Sequence, residues 1–342
     1  MTVKLLREAW TVAVEALSWM ELQGMSEPSA LSKTVKQLGI KDSRVLGLAR
    51  KLVYETVRRR NLIDRIVNAA LAPRSLGDFR LGVRAFLRLY VCQTKFLNGD
   101  FEEAASIAGL GRSILGWREL QWVEAALGKL LSIDLKHVFE GAGDEERVGL
   151  LTCHPPWFVE HCFRLLGRRE ALRFLKSSMK PLPTYIRINT MRGPEEILLR
   201  RVKEEGVVLE EVHQLRHVYN VVGSAKSLVR TESFCDGLFY VQDMASCLAV
   251  EVASPQPGMT VLDVCAAPGA KTTHLAQLME NEGVVYSIDY SRRRMRIWKR
   301  ETKRMGAKTA VPIICDAYKP LPLKVLADLV FLDPPCTGTG VF

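Results

Sequence analysis

The chain has 342 residues, 48% of them hydrophobic, with 48 Lys and Arg against 38 Asp and Glu and a formal net charge of +10. That length carries two or three domains, and that apolar fraction excludes a disordered or low-complexity chain. The charge favours a polyanionic partner, while the lack of any apolar run near ~18 residues and a charged, amphipathic N-terminus exclude a membrane span and a signal sequence. Eight cysteines are scattered with no C-x-x-C pair, so neither a zinc site nor a disulfide framework is expected, and the chain reads as a reduced, cytoplasmic protein.

From Val3 to Met20 apolar residues recur at helical spacing: Leu6, Ala9, Trp10, Ala13, Val14 and Leu17. Ser43 to Asn61 continues the pattern with Val45, Leu48, Leu52, Val53 and Val57, and Leu62–Leu71, Leu81–Phe96 and Leu120–Leu131 follow. Strand signals are nearly absent before residue 180. The expectation is an all-α bundle with loops at Gly24–Pro28, Pro73–Asp78 and Asn98–Asp100. Arg58, Arg59, Arg60 and Arg65 are either phosphate contacts or part of a solvated helix face. Small and acidic residues make Gly141–Glu146 a surface linker.

Residues 181–240 change period. Thr184–Thr190 alternates like a strand, Pro194–Glu205 is helical with Gly206 as its stop, and short strands follow around Val207, Val218–Val222 and Leu238–Val241. This is a small α+β module. His213 and His217 stand at i, i+4, but Gln214 occupies the place of the glutamate in a protease zinc helix and the surroundings are not helical, so no metal is expected there. Asp243 is placed to cap the helix that follows it.

The last third repeats strand and helix. Thr260–Val264 is an apolar, β-branched strand after the turn residues Pro255–Gly258. It runs into the small-residue corner Cys265-Ala266-Ala267-Pro268-Gly269, and Ala270 and Lys271 lead into a helix to Met279. Strand, tight glycine turn and helix form the local plan of a cofactor site in a doubly wound sheet. Small side chains admit a ligand to the backbone, and the helix N-terminus favours negative charge. The turn is neither a Walker loop nor G-x-G-x-x-G, which weakens the phosphate readings. Val284–Asp289, Ala310–Asp316 and Ala327–Asp333 are further strands, each closed by an acid at the same edge of the sheet. Asp289, about 20 residues past the glycine turn, stands where such folds place an acid on ribose hydroxyls. Arg292–Arg300 is a basic helix, either solvated or tracking phosphates.

The run D-x-C-A-A-P-G-x-K-T at Asp263–Thr272, followed by Asp333-Pro-Pro-Cys-Thr-Gly-Thr-Gly340, resembles motif I and a later signature of the Sun (Fmu/RsmB) family of S-adenosylmethionine-dependent RNA cytosine-C5 methyltransferases. The resemblance covers most of the chain and is weakest at the N-terminus. Arg50–Arg60 resembles the NusB-like domain that precedes the catalytic core in RsmB-type members. His154-Pro-Pro-Trp-Phe158 is similar to the family's HPxW segment, Arg187-Ile-Asn189 to its RxN element, and Phe239–Ser246 to its motif X.

The resemblance implies a multidomain fold: an all-α NusB-like RNA-binding bundle over 1–142, a small α+β RNA-binding module over 148–235, and the N-terminal half of an α/β Rossmann-like class I methyltransferase domain over 236–342. It implies S-adenosyl-L-methionine as cofactor, held by Cys265, Ala266, Ala267, Pro268, Gly269, Ala270 and Lys271, with Asp289 on the ribose, Asp316 near the adenine, and Arg294 and Asp333 within reach. It implies RNA as partner, ribosomal RNA favoured over transfer RNA, for a monomer with neither metal nor membrane.

Carbon 5 of cytosine is a poor nucleophile, so enzymes that methylate it first add a cysteine thiolate to carbon 6. By the resemblance, Lys271 lies near the reacting base, Asp333 reads the base edge, and Cys336 assists product release. The attacking cysteine of the family sits in a later Thr-Cys-Ser motif. Thr152-Cys153-His154 lies on the wrong side of the cofactor motif to be it. The expectation is therefore a truncated segment, inactive alone, with four of seven strands and its nucleophile beyond Phe342. Two rivals remain: an amino-methyltransferase, which would want an aromatic residue where Cys336 stands, and a non-catalytic RNA-binding assembly factor.

Overall fold

The computed structural model describes residues 3–97, 99, 101–180 and 182–335, and its contacts divide the chain into two compact units, Met1–Lys180 and Pro181–Val341. Among the described residues no strand precedes Thr184, and no helix is long and apolar enough to cross a membrane.

The first unit is helical: α1 (Val3–Gln23), α2 (Glu27–Leu38), α3 (Ser43–Arg58), α4 (Arg60–Leu71), α5 (Leu81–Val91), α6 (Phe101–Leu115), α7 (Trp117–Leu120), α8 (Glu124–Ser132), α9 (Leu135–Val138), α10 (Asp144–Thr152) and α11 (Pro156–Ser178). The stripe Trp10, Ala13, Val14, Leu17 of α1 is buried against Leu52 of α3, Ile63 and Ile66 of α4, and Phe86 and Tyr90 of α5, with the Trp10 and Phe86 rings 5.6 Å apart, while Ala9 packs on Val45 and Ala49 of α3. The single helix expected over 43–61 breaks at Arg59, which leaves helical geometry between α3 and α4. The proposed linker at 141–146 ends sooner than expected: Asp144, Glu145 and Glu146 form the first turn of α10, where carboxylates offset the unpaired N–H groups of a helix start. Acidity there marks a helix N-terminus rather than a loop. Asn98 and Asp100, part of an expected loop, lie outside the described residues.

Arg88, 6% exposed, donates to Asp64 at 2.6 Å and pairs with Glu21, which also takes Arg84 at 2.8 Å. Arg60 stands 3.6 Å from both carboxylates. Arg59 pairs with Glu55, Arg58 donates to the Met179 carbonyl, and Arg65 donates to the Val138 and Glu140 carbonyls at 3.2 Å each. The four arginines singled out for phosphates are thus held by the bundle itself. Cys153 takes a left-handed conformation (φ 59°) after α10, and burial pushes its thiol up. His154 stacks on Phe158 and bonds Ser178, so the HPxW-like segment joins α10 to α11.

The second unit holds two sheets. β1 (Thr184–Ile188), β2 (Val207–Glu211), β3 (Val218–Ser224) and β4 (Phe239–Val241) form an antiparallel sheet in the order β2-β3-β1-β4, with α12 (Glu195–Glu204) packed on it and the short α13 (Glu232–Cys235) before β4. Residues 213–217 are turns, as the sequence indicates. After α14 (Met244–Ala253) come β5 (Thr260–Val264), α15 (Ala270–Leu278), β6 (Val284–Asp289), α16 (Arg292–Met305), β7 (Ala310–Ile314) and β8 (Leu329–Leu332). These strands form a parallel sheet in the order β7-β6-β5-β8. The crossover direction reverses at β5, so a crevice opens beyond the carboxyl ends of β5 and β8.

Candidate active site

β5 delivers its last buried residues to this crevice and then turns sharply. Cys265 is left-handed (φ 68°), the Ala266 N–H donates to the Ile288 carbonyl at 2.9 Å, and Gly269 (φ 110°) closes the turn onto α15. Gly269 is required twice over: L side chains avoid its φ, and a Cβ there would meet the Trp298 ring at 3.2 Å. The result is a cleft of about 450 Å³, walled by Cys265–Pro268, Ala270, Lys271 and Arg294 and, from beyond β8, by Asp333, Pro334 and Pro335.

Lys271 leans across the mouth of the cleft. Its Nζ donates to Asp333 Oδ2 at 2.6 Å and to Ser246 Oγ, on α14, at 3.1 Å. Ser246 was not foreseen as a site residue; it closes the run that resembles motif X. Asp243 caps α14 by accepting from the Ala245 N–H at 2.8 Å.

Asp289, only 3% exposed, accepts from the Ala267 N–H at 3.3 Å and the Ser291 N–H at 2.9 Å, with the Arg294 guanidinium 3.5 Å away. Arg294 also donates to the Ala267 carbonyl. Asp289 therefore braces the turn from behind and does not line the cleft, whereas Arg294 braces it while forming part of the cleft wall. Asp316 is exposed beyond β7, where its carboxylate accepts from the Tyr318 N–H at 3.1 Å, and it does not line the cleft. Cys336 lies outside the described residues.

Asp263 sits beneath the turn, 1% exposed. The Thr272 hydroxyl donates to it, and Trp298 Nε1 donates to that hydroxyl at 3.0 Å. Burial pushes the Asp263 carboxyl up to about 7, against the pull of that hydrogen bond and of the Lys271 cation. Burial also raises the Cys265 thiol, and the Asp289 carboxylate adds to it.

Behind α15 lies a second polar cluster. Arg187 of β1 is fully buried, and among the described residues no carboxylate pairs with it. It donates to Gln242 Oε1 and Thr273 Oγ1 at 3.0 Å each and to Gln277 Oε1, while Gln277 Nε2 donates back to the Ile188 carbonyl at 3.0 Å. Burial lowers its pKa to about 10. Asn189 is equally buried and donates to the Gly237 and Met305 carbonyls at 2.8 and 2.7 Å. The RxN-like element is thus internal, joining the antiparallel sheet to the helices of the parallel one. Among the described residues no group of three or more His, Cys, Asp or Glu is placed to hold a metal ion.

Two family models match the chain, the NusB family over residues 7–108 and the 16S rRNA methyltransferase RsmB/F family over residues 250–342. A probable ribosomal RNA small subunit methyltransferase B from Bacillus subtilis is 27% identical over 341 residues, which cover 96% of this chain and 74% of that protein. A tRNA (cytosine(72)-C(5))-methyltransferase from Pyrococcus horikoshii is 41% identical over 115 residues, 34% of this chain and 30% of that protein. The crystal structure of PH0851 aligns at a TM-score of 0.73 and 26% identity, covering 98% of this chain and 76% of its own.

Proposed function

Since this chain belongs to the RsmB/F (Sun) family of RNA cytosine-C5 methyltransferases, we propose that it forms 5-methylcytosine in ribosomal RNA with S-adenosyl-L-methionine as methyl donor. The observation that carries this reading is the Lys271–Asp333–Ser246 cluster at the mouth of a cleft walled by small residues. Ribosomal RNA is favoured because the similarity to the B. subtilis ribosomal RNA enzyme runs through 96% of the chain, the NusB-like region included. The transfer-RNA alternative draws on a relative that matches only 34% of it.

The residues present fit the cofactor. No side chain of Cys265–Pro268 is large enough to block the cleft, and Asp289, buried behind the cleft wall, has an Oδ1 lone pair beyond its Ser291 N–H bond that a ribose hydroxyl would take. Cys265–Lys271, Asp289 and Arg294 would hold the group, which when bound supplies an electrophilic methyl on a sulfonium. The chain's own contribution is to orient and to exclude water. Asp333 accepts from Lys271 and, being half exposed, can also accept from the exocyclic amine of a flipped cytosine. Lys271, held by Asp333 and Ser246, places a cation at the edge of that base. Asp316 on the adenine and Cys336 in product release remain part of this proposal.

In domain terms, 1–142 serve RNA recognition, 148–235 form the ancillary module and 236–342 belong to the methyltransferase domain. Bisulfite sequencing of ribosomal and transfer RNA from a strain lacking the gene tests the reading. One cytosine of ribosomal RNA should lose its protection. Unchanged ribosomal RNA, with loss at a transfer-RNA cytosine instead, would transfer the assignment to that substrate.

A further inference from the structure

The helical unit carries a groove that the methyltransferase reading leaves without a task. α2 and α3 both pack on α1, and the short turn between them, from Gly39 (φ 67°) to the α3 cap Asp42, leaves their outer edges apart. The opening, about 570 Å³, has an apolar floor and walls made by Val12, Leu31, Val35, Ile40, Leu46 and Ala49. Val12 and Ala49 are fully buried, and the other four are half-buried.

Its rim is basic. Lys36, Lys41 and Arg50 line the groove, and among the described residues no carboxylate does. Lys36 and Lys41 are exposed, and Arg50 is 77% exposed with Glu27 4.0 Å away. Asp42, the acid nearest in sequence, is taken by Arg44 at 2.8 Å. We propose that this groove docks a short acidic peptide segment of a partner protein, aliphatic side chains seated on the floor and carboxylates paired with the three rim cations. Amphipathic segments bind apolar grooves in this way, with a few anchors filling the floor and flanking charges setting the register.

The same cations could serve a phosphate backbone, but the floor is wrong for a base. Single-stranded nucleic acid is gripped by stacking on aromatic rings, and among the described residues no aromatic side chain lines this groove. Ser32 is the one neutral polar side chain among the lining residues, too little to read a base edge. The inference does not rest on the methyltransferase reading.

The test is a selection of randomised short peptides displayed on phage against the purified protein, followed by polarisation titrations of the recovered peptides. Recovered sequences should combine aliphatic residues with Asp or Glu. Their affinity should fall about tenfold or more in Ser32→Trp, which fills the groove from an exposed position, and about tenfold in Lys36→Glu/Lys41→Glu. Should Ser32→Trp fail to fold, as judged by its melting curve, the two surface lysines carry the test. No enrichment, recovered peptides without acids, or affinities unchanged in the charge-reversed protein would overturn the proposal. So would displacement of the peptide by single-stranded oligouridylate whose own affinity falls in the same variants, which would assign the groove to RNA.

Discussion

The Nζ of Lys271 lies 2.6 Å from Asp333 Oδ2 although the two residues sit 62 positions apart, one opening α15 and the other closing β8. Their side chains are 18% and 54% exposed, so the pair bridges the cleft from a protected base to an accessible acid. In a chain that carries the attacking cysteine, Asp333→Ala should lower methyl transfer on the order of 100-fold, a typical cost of removing a positioned polar group. With Asp333 half exposed, the melting temperature should barely move. A tritiated-methyl assay beside a thermal melt checks this, and wild-type turnover in the variant would remove the pair from the mechanism.

Asp289→Ala should weaken binding of S-adenosylmethionine or its demethylated product by about 1.5–3 kcal/mol, the scale of a hydrogen bond to a charged group. The loss has two expected sources, the proposed acceptor for the ribose and the brace on the Ala267 N–H. Calorimetry on the purified protein measures it. Unchanged affinity would exclude Asp289 from the cofactor site.

Asp263 makes stability depend on pH in a defined direction. Its carboxyl is raised to about 7 in the fold, from ~3.9 when unfolded. Between those values the folded protein keeps a proton that the unfolded chain gives up, so this group's contribution falls as pH rises from ~4 to ~7 and is level above. Asp263→Asn can still accept from Thr272 and has no charge to bury. It should gain on the order of 2–4 kcal/mol over the wild type at pH 8 and nothing at pH 4. Urea midpoints across that range decide it, and parallel curves for the two proteins would refute the assignment.

Arg187→Met removes three hydrogen bonds at once and strands Gln242, Thr273 and Gln277 in the interior. The second unit should lose about 3 kcal/mol of unfolding free energy. Arg187→Lys should recover less than half of that, because one ammonium cannot reach all three acceptors. Urea unfolding followed by hydrogen exchange in α15 reports the difference.

The RNA-facing charge is better sought on α16 than on the bundle arginines. Arg292, Arg293, Arg296 and Lys299 are exposed, whereas Arg58–Arg60 and Arg65 are held by carboxylates and carbonyls of their own unit. Neutralising Arg293 and Arg296 together should reduce the slope of log affinity against log salt by about 2. Neutralising Arg60 should change thermal stability more than that slope. A salt titration with labelled ribosomal RNA separates the two outcomes.

Local signals explain which features could be foreseen. β5 falls on Thr260–Val264 as expected, since an apolar β-branched run between turn residues has few other places to go. The turn and its glycine follow directly after it, and Asp289 and Asp333 are foreseen from the apolar runs that they close, whereas β7 stops at Ile314, two residues short of Asp316. α2 begins inside the loop expected at Gly24–Pro28, because proline belongs in the first turn of a helix. The break at Arg59 was missed because no glycine or proline marks it. Contacts made across long stretches of sequence were out of reach altogether. Arg187 meets its partners 55 to 90 residues later, and Ser246 meets Lys271 25 residues later. A polar residue in an alternating strand gives no sign that it points inward.

The buried arginine also decides what can be moved as a piece. Thr273 and Gln277 of α15 take part of their bonding from β1, and Asn189 ties the same strand to the end of α16. A transplant or truncation starting at β5 would expose polar groups that water must then satisfy, at the back of the helix that carries Lys271. The antiparallel sheet is therefore a keystone rather than an appendage: the smallest portable body holding an intact cofactor turn begins before Thr184, well upstream of residue 250, where the methyltransferase family match begins.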